Sequence, residues 1–137
     1  MLVRPITKEE RLQSAQLFAI AFESPFDPND LTPFAENPCI WAAFDEESGE
    51  MMSTVYVTDY RVQFDGGRYK MGGIGGVASL PQYRRAGGIR ACFQKALPIL
   101  YREGYVFSYL YPFSTAYYRK FGYESCVQRY LAVLDLR

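Results

Sequence analysis

The sequence predicts a mixed α/β (α+β) domain, one sheet with helices packed on it. Three observations carry that reading. Runs rich in β-branched and aromatic residues occupy positions 39–44, 51–64, 71–79, 105–111 and 127–136. Apolar residues recur at helical spacing in two places: Leu12, Ala15, Phe18, Ala19 and Phe22, and again Ile89, Phe93, Ala96, Leu97 and Leu100. The two kinds of segment interleave, in the order ααβββαβαβ, which requires a mixed sheet.

Each element has its own signals. TKEE at positions 7–10 reads as a capping box opening the first helix. Pro25 and Pro28 stop it, and residues 31–36 suggest a short second helix. Residues 45–49 form the turn after the first strand, and residues 51–64 read as extended chain with a bend near Asp59. Asp65, Gly66 and Gly67 make a hairpin turn. The glycines within 71–79 suggest a bulge, or a ligand lying against the backbone. A long helix spans about 86–103, weakened or kinked by Pro98 and ended by Gly104. Ser114 caps a short helix that stops at Gly122, and 127–136 is a closing strand.

A chain of 137 residues is long enough for one domain that buries roughly two-thirds of its unfolded surface. Aromatics are abundant, with 12 Tyr and 10 Phe. Fifteen basic residues balance fifteen acidic ones, so nothing global favours nucleic acid or an anionic membrane. No apolar run approaches the roughly 20 residues of a membrane span, and the N-terminus lacks the design of a signal peptide. Cys39, Cys92 and Cys126 are odd in number and far apart, as expected of free thiols in a reducing cytoplasm. The absence of histidine removes His-based metal sites and His bases, so no metal is expected.

The densest chemical signal is VASLPQYRRAGGIRACF at positions 77–93. An apolar run meets Pro81, two arginines and two glycines follow, and a helix opens. The first amides of a helix lack intrahelical partners and sit at the positive end of its dipole. Arg84, Arg85, Gly87 and Gly88 therefore describe a pocket for a phosphate-bearing ligand. GIGGVA at 73–78 fits the dinucleotide pattern by letters only: it does not open a helix, and no acidic residue follows at the ribose position. A strand leading into a phosphate turn can also hold an extended ligand along its edge. Coenzyme A has that shape, and its pantetheine amides can pair with the backbone of Val77 and Ser79. A surface turn with solvated arginines is the competing reading.

The same segment resembles motif A of the GNAT acetyltransferases, whose signature is Arg/Gln-x-x-Gly-x-Gly/Ala. Arg84 and Gly87 match it, while Ile89 replaces the usual small final residue. Within that family the chain is similar to the enhanced-intracellular-survival type, which carries an element like YPFSTAYYRKFGY at 111–123 after its fifth strand. The WAAFD strand at 41–45 is in keeping. The resemblance implies a GNAT fold: a mostly antiparallel mixed sheet, splayed central strands and helices on both faces. It implies binding of acetyl-CoA by Val77, Ala78, Ser79, Arg84, Arg85, Gly87, Gly88 and Ile89, and transfer of acetyl to a primary amine of a small molecule or a lysine. It also implies that Tyr118 is the general acid, against its alternative as one packed aromatic among twelve tyrosines. Members of that type have three parts and use a C-terminal carboxylate as base. Residues 1–137 are thus expected to be a single GNAT domain, standing alone or first in a longer chain, cytoplasmic, and compatible with a homo-oligomer. No internal base stands out among Glu23, Asp27, Glu36 and Glu50. A catalytically silent acyl-CoA-binding module is the rival function.

Overall fold

The structure, a computed structural model, describes residues 1–29, 39–128 and 130–133. Five strands form one sheet in the order β1 to β5: β1 (Leu2–Pro5), β2 (Cys39–Phe44), β3 (Met51–Phe64), β4 (Gly67–Ser79) and β5 (Tyr105–Leu110). Three helices accompany them among the described residues: α1 (Arg11–Phe22), α2 (Gly88–Arg102) and α3 (Thr115–Arg119). The first three pairings are antiparallel and the last, β4 with β5, is parallel. The mixed, mostly antiparallel sheet is therefore the one expected.

Strand alternation sorts the core onto two faces. Trp41, Ala43, Val55 and Val57 pack with Cys92, Phe93, Ala96 and Leu100 of α2. Ala42, Phe44, Met51 and Ala78 pack with Leu17 of α1. Helices thus cover both faces. Burial pushes the Cys92 thiol up to about 12, so it remains a neutral core side chain. Pro98 is accommodated inside α2 rather than ending it, and Gly104 takes the left-handed φ of 82° expected after a helix C-terminus.

β4 parts from β5 partway along its length. Their pairing runs from Lys70–Tyr105 to Ile74–Leu110 and stops, while residues 75–79 continue with β3 alone. Opposite them, the β3–β4 register shifts between Thr54–Ala78 and Tyr56–Gly75, so Gly76 and Val77 together face Val55. This is a β-bulge, and bulges bend the strand that carries them. The glycine-rich stretch called for such a bulge, and Gly76, with φ of 50°, is where it forms.

Several expectations need correction. β1 is an additional edge strand, antiparallel to β2 from Leu2–Phe44 to Pro5–Trp41. Four residues carry too little periodicity to announce it, and pairing with β2 creates it. The capping box forms only in half: the Glu10 carboxylate accepts from the Thr7 amide at 2.8 Å, but the helix starts at Arg11 with no side-chain cap. Glu10 instead joins β1 to the helix entry through a bidentate pair with Arg4, at 2.7 and 2.8 Å. β3 runs without a break past Asp59, because it keeps its register with β4 to Phe64–Gly67. The expected closing strand is absent at Val127, Gln128 and residues 130–133, which are exposed and make no ladder; its remaining positions, and the expected helix at 31–36, lie outside the described residues.

The Arg4–Glu10 pair yields a pH-dependent expectation. Arg4 holds the Glu10 carboxyl down to about 2, below the ordinary carboxylate value. A depressed folded pKa means stability that is present above about pH 4.3 and lost as pH falls toward 2. With Arg4 partly exposed, Glu10→Gln should lower folding stability by about 1 kcal/mol at pH 7. The deficit should shrink below pH 4 and vanish near pH 2, as followed by urea denaturation across that range. A pH-independent deficit would place the effect elsewhere.

Candidate functional site

β4, the turn after it and the start of α2 form one continuous stretch. Leu80 ends the strand with its amide bonded to the Met52 carbonyl at 3.0 Å. Pro81–Tyr83 make a single 3-10 turn, whose last side chain is anchored by the Tyr83 hydroxyl donating to Glu50 at 2.8 Å. Arg85 then takes a left-handed φ of 68° and Gly87 one of 87°, which reverses the chain into α2. The first helical bond is from the Ala91 amide to the Gly87 carbonyl, so the amides of Gly88, Ile89 and Arg90 precede it and point out of the helix start.

Gly88 shows why the helix must begin there. It is buried, and a Cβ on it would lie 2.5 Å from Ser53 Oγ and 3.3 Å from Ala43 Cβ. Glycine alone lets the helix start seat this closely on β2 and β3. Ser53 Oγ in turn lies 2.6 Å from Ser79 Oγ, tying the end of β4 to the same point.

Among the described residues, Arg84 and Arg85 are exposed and make no side-chain hydrogen bond or ion pair. Two guanidinium groups thus stand just before the positive end of a helix, and forked donors of this kind suit phosphate oxygens. Gly87 is exposed and open on the side a Cβ would occupy. Val77 and Ile89 are half-buried against the α2-side core. The Ala78 side chain is buried on the opposite, α1 side, and Ser79 is occupied with Ser53, so both offer a ligand only backbone.

Tyr118 lies in α3, which Ser114 caps by accepting from the Tyr117 amide at 3.3 Å. Its ring is 4% exposed and sits among Phe93, Phe113, Tyr117 and Tyr123. Its hydroxyl has no hydrogen-bonding partner among the described residues. Burial, with Tyr117 and Tyr123 adding to it, pushes the phenol up to about 12. Tyr123, by contrast, shares a 2.6 Å hydrogen bond with Ser108. Phe121, past the end of the same helix, stacks on Phe93 with ring centroids 4.4 Å apart, and Tyr117 packs edge-on against Phe121.

The structure brings Val77, Ile89 and Tyr118 to one core cluster. It does not gather every candidate into one cavity. A cavity of about 620 Å³ lies beside β5 and is lined by Leu110, Tyr111, Tyr118 and Cys126 among others, with none of the turn residues in its wall. Of the carboxylates, Glu50 is engaged by Tyr83, Asp27 accepts from Asn29, Glu23 is exposed at the end of α1, and Glu36 lies outside the described residues. What residue patterns did not reveal was Thr54, whose hydroxyl donates to the Gly76 carbonyl at 3.0 Å. A lone threonine in a β-branched run carries no signal of such a role.

A profile of the family described as acetyltransferase (GNAT) domain matches residues 2–126. No curated protein matches. Among solved structures, a probable N-acyltransferase from Enterococcus faecalis is 34% identical, with a TM-score of 0.82 over 90% of this chain and 32% of that one. Eis1 from Mycobacterium abscessus is 18% identical, with a TM-score of 0.77 over 90% of this chain and 31% of that one. Glucosamine-6-phosphate N-acetyltransferase from Arabidopsis thaliana is 13% identical, with a TM-score of 0.75 over 98% of both chains. The last two likenesses speak to fold. The chain spans about a third of the length of the first two structures. Among the described residues, no helix is long and apolar enough to cross a membrane.

The seat of α2 can be tested without any ligand. Gly88→Ala should push Ser53 aside, loosen its bond to Ser79 and destabilise the fold by about 1–3 kcal/mol. Thermal unfolding should show a Tm lower by several degrees. An unchanged Tm would mean that α2 does not rest on Ser53 as described.

Proposed function

We infer the function from one premise: the chain belongs to the acetyltransferase (GNAT) domain family. On that premise it is an N-acetyltransferase that moves an acetyl group from acetyl-CoA to a primary amine, on a small molecule or a lysine. The observation that carries this reading is the open end of the sheet. β4 runs past its last pairing with β5 and leads into a helix start preceded by two arginines that have no ion pair among the described residues. That is the shape of an extended ligand with a pyrophosphate at one end. We read residues 1–137 as a single GNAT domain that can stand first in a longer protein. We assign it to the enhanced-intracellular-survival type, on the strength of the 111–123 element.

The residues present fit acetyl-CoA, which supplies the acetyl group as a thioester when bound. Arg84, Arg85 and the amides of Gly88, Ile89 and Arg90 bind pyrophosphate oxygens. Gly87 keeps the approach clear, and Ile89 locks the first turn of α2 against the core. The backbone of Val77, Ala78 and Ser79 pairs with the pantetheine arm as an added strand would. The Val77 amide polarises the thioester carbonyl. Tyr118 meets the leaving sulfur. With its phenol near 12 and a thiol near 8.5, Tyr118 is the weaker acid by more than three units. It therefore keeps its proton and donates a hydrogen bond as charge grows on sulfur, while the amine supplies the proton that the thiol finally carries.

Two experiments test this reading. Arg84→Ala combined with Gly87→Asp should weaken acetyl-CoA binding by about 10-fold or more, through lost charge-assisted bonds and an added like charge. Calorimetry that finds unchanged affinity would remove the site assignment. Tyr118→Phe keeps the ring, so acetyl-CoA affinity should hold while kcat on a panel of primary amines falls by about 10-fold or more. Tyr117→Phe should be nearly silent. Wild-type rates for both would return Tyr118 to a packing role. Tight binding with no turnover on any amine would favour the silent acyl-CoA-binding module.

A further inference from the structure

We propose that Thr54 is a positioning residue that aims the Val77 amide into the gap between β4 and β5. Thr54 is completely buried on β3, and its hydroxyl donates to the Gly76 carbonyl at 3.0 Å. That carbonyl and the Val77 N–H belong to one peptide unit. No peptide bond here is cis, and in a planar trans unit the C=O and N–H point in opposite directions. Fixing the carbonyl toward β3 therefore fixes the amide away from β3. On that side β5 has already left, since its pairing ends at Ile74–Leu110.

The bulge is held from a second direction. A Cβ on Gly76 would lie 2.5 Å from the Tyr56 ring, so the Gly76 backbone rests directly on that ring. Tyr56 is immobilised in turn, with its hydroxyl 2.8 Å from the Ser14 hydroxyl of α1. The ring sets where the peptide sits, and the Thr54 hydroxyl sets which way it faces. Among the described residues Thr54 is the side chain that donates to the half-buried Gly76 carbonyl, and without it turning the peptide toward water becomes the cheaper arrangement. Thr54, Tyr56 and Ser14 contact the bulge or one another. They act through the Val77 amide.

This inference rests on the acetyl-CoA reading, and its test separates the two. In the wild-type protein, labelled with nitrogen-15, the Val77 amide proton should move downfield with acetyl-CoA and much less with CoA, which lacks the carbonyl. In infrared spectra of acetyl-CoA labelled with carbon-13 at the thioester carbonyl, binding should lower the carbonyl frequency. Thr54→Val should return that band toward its free position and reduce kcat about 10-fold, leaving KM for acetyl-CoA and calorimetric affinity for CoA within about twofold. Thr54→Ser should restore both band and rate. A wild-type band in Thr54→Val with acetyl-CoA bound would overturn the role of Thr54 and leave the acetyl-CoA reading intact. So would a Val77 amide that responds equally to CoA and acetyl-CoA, a result available even if Thr54→Val does not fold. Failure of the wild-type protein to bind acetyl-CoA would overturn both.

Discussion

The bulge at Gly76 and Val77 is the constraint on which the rest of the molecule depends. An unbulged β4 would carry its alternation straight through to Ser79 and could stay paired with β5 along its length. The extra residue opposite Val55 bends the strand, and the last contact with β5 falls two residues earlier, at Ile74. A strand edge left unpaired is a liability unless something covers it. On the α2 face of the sheet the half-buried Val77 packs against the core cluster that holds Phe93 of α2 and Tyr118. The bulge is possible because residue 76 is glycine, and it is held by Thr54 and the Tyr56 ring.

Electrostatics follow the same local logic. The chain as a whole is neutral, so no global field draws an anion to it. Among the described residues, Arg84 and Arg85 stand without ion pairs just before the start of α2. Three other arginines are paired with carboxylates: Arg4 with Glu10, Arg119 with Glu124 and Arg61 with Asp59. Tyr118 is the counterpart on the apolar side. Burial raises its phenol instead of activating it, which suits a hydrogen-bond donor better than a free proton source.

Much of this architecture was legible because the relevant signals are local. The bounds of β2 follow from its unbroken apolar run, and the turn at Asp65 and Gly66 from its residues. Gly87 and Gly104 bracket α2 in keeping with their conformational freedom. What escaped depends on partners distant in sequence. β1 exists because β2 offers it an edge, and Glu10 both accepts from the Thr7 amide and holds Arg4 of that strand. The site divides the same way. The arginines and glycines of the turn announce themselves by type and order, whereas Thr54 gains its role only when a register shift brings Gly76 across from it.

We propose that the end of β4 beyond its pairing with β5 receives the coenzyme. Residue-resolved hydrogen exchange of the protein, with and without acetyl-CoA, tests it most directly. New protection is expected at the amides of Val77 and Ser79 and at Gly88, Ile89 and Arg90, with little change along the β3–β4 hairpin near Phe64. Protection confined to the cavity beside β5, around Cys126, with residues 75–90 exchanging as in the free protein, would contradict it.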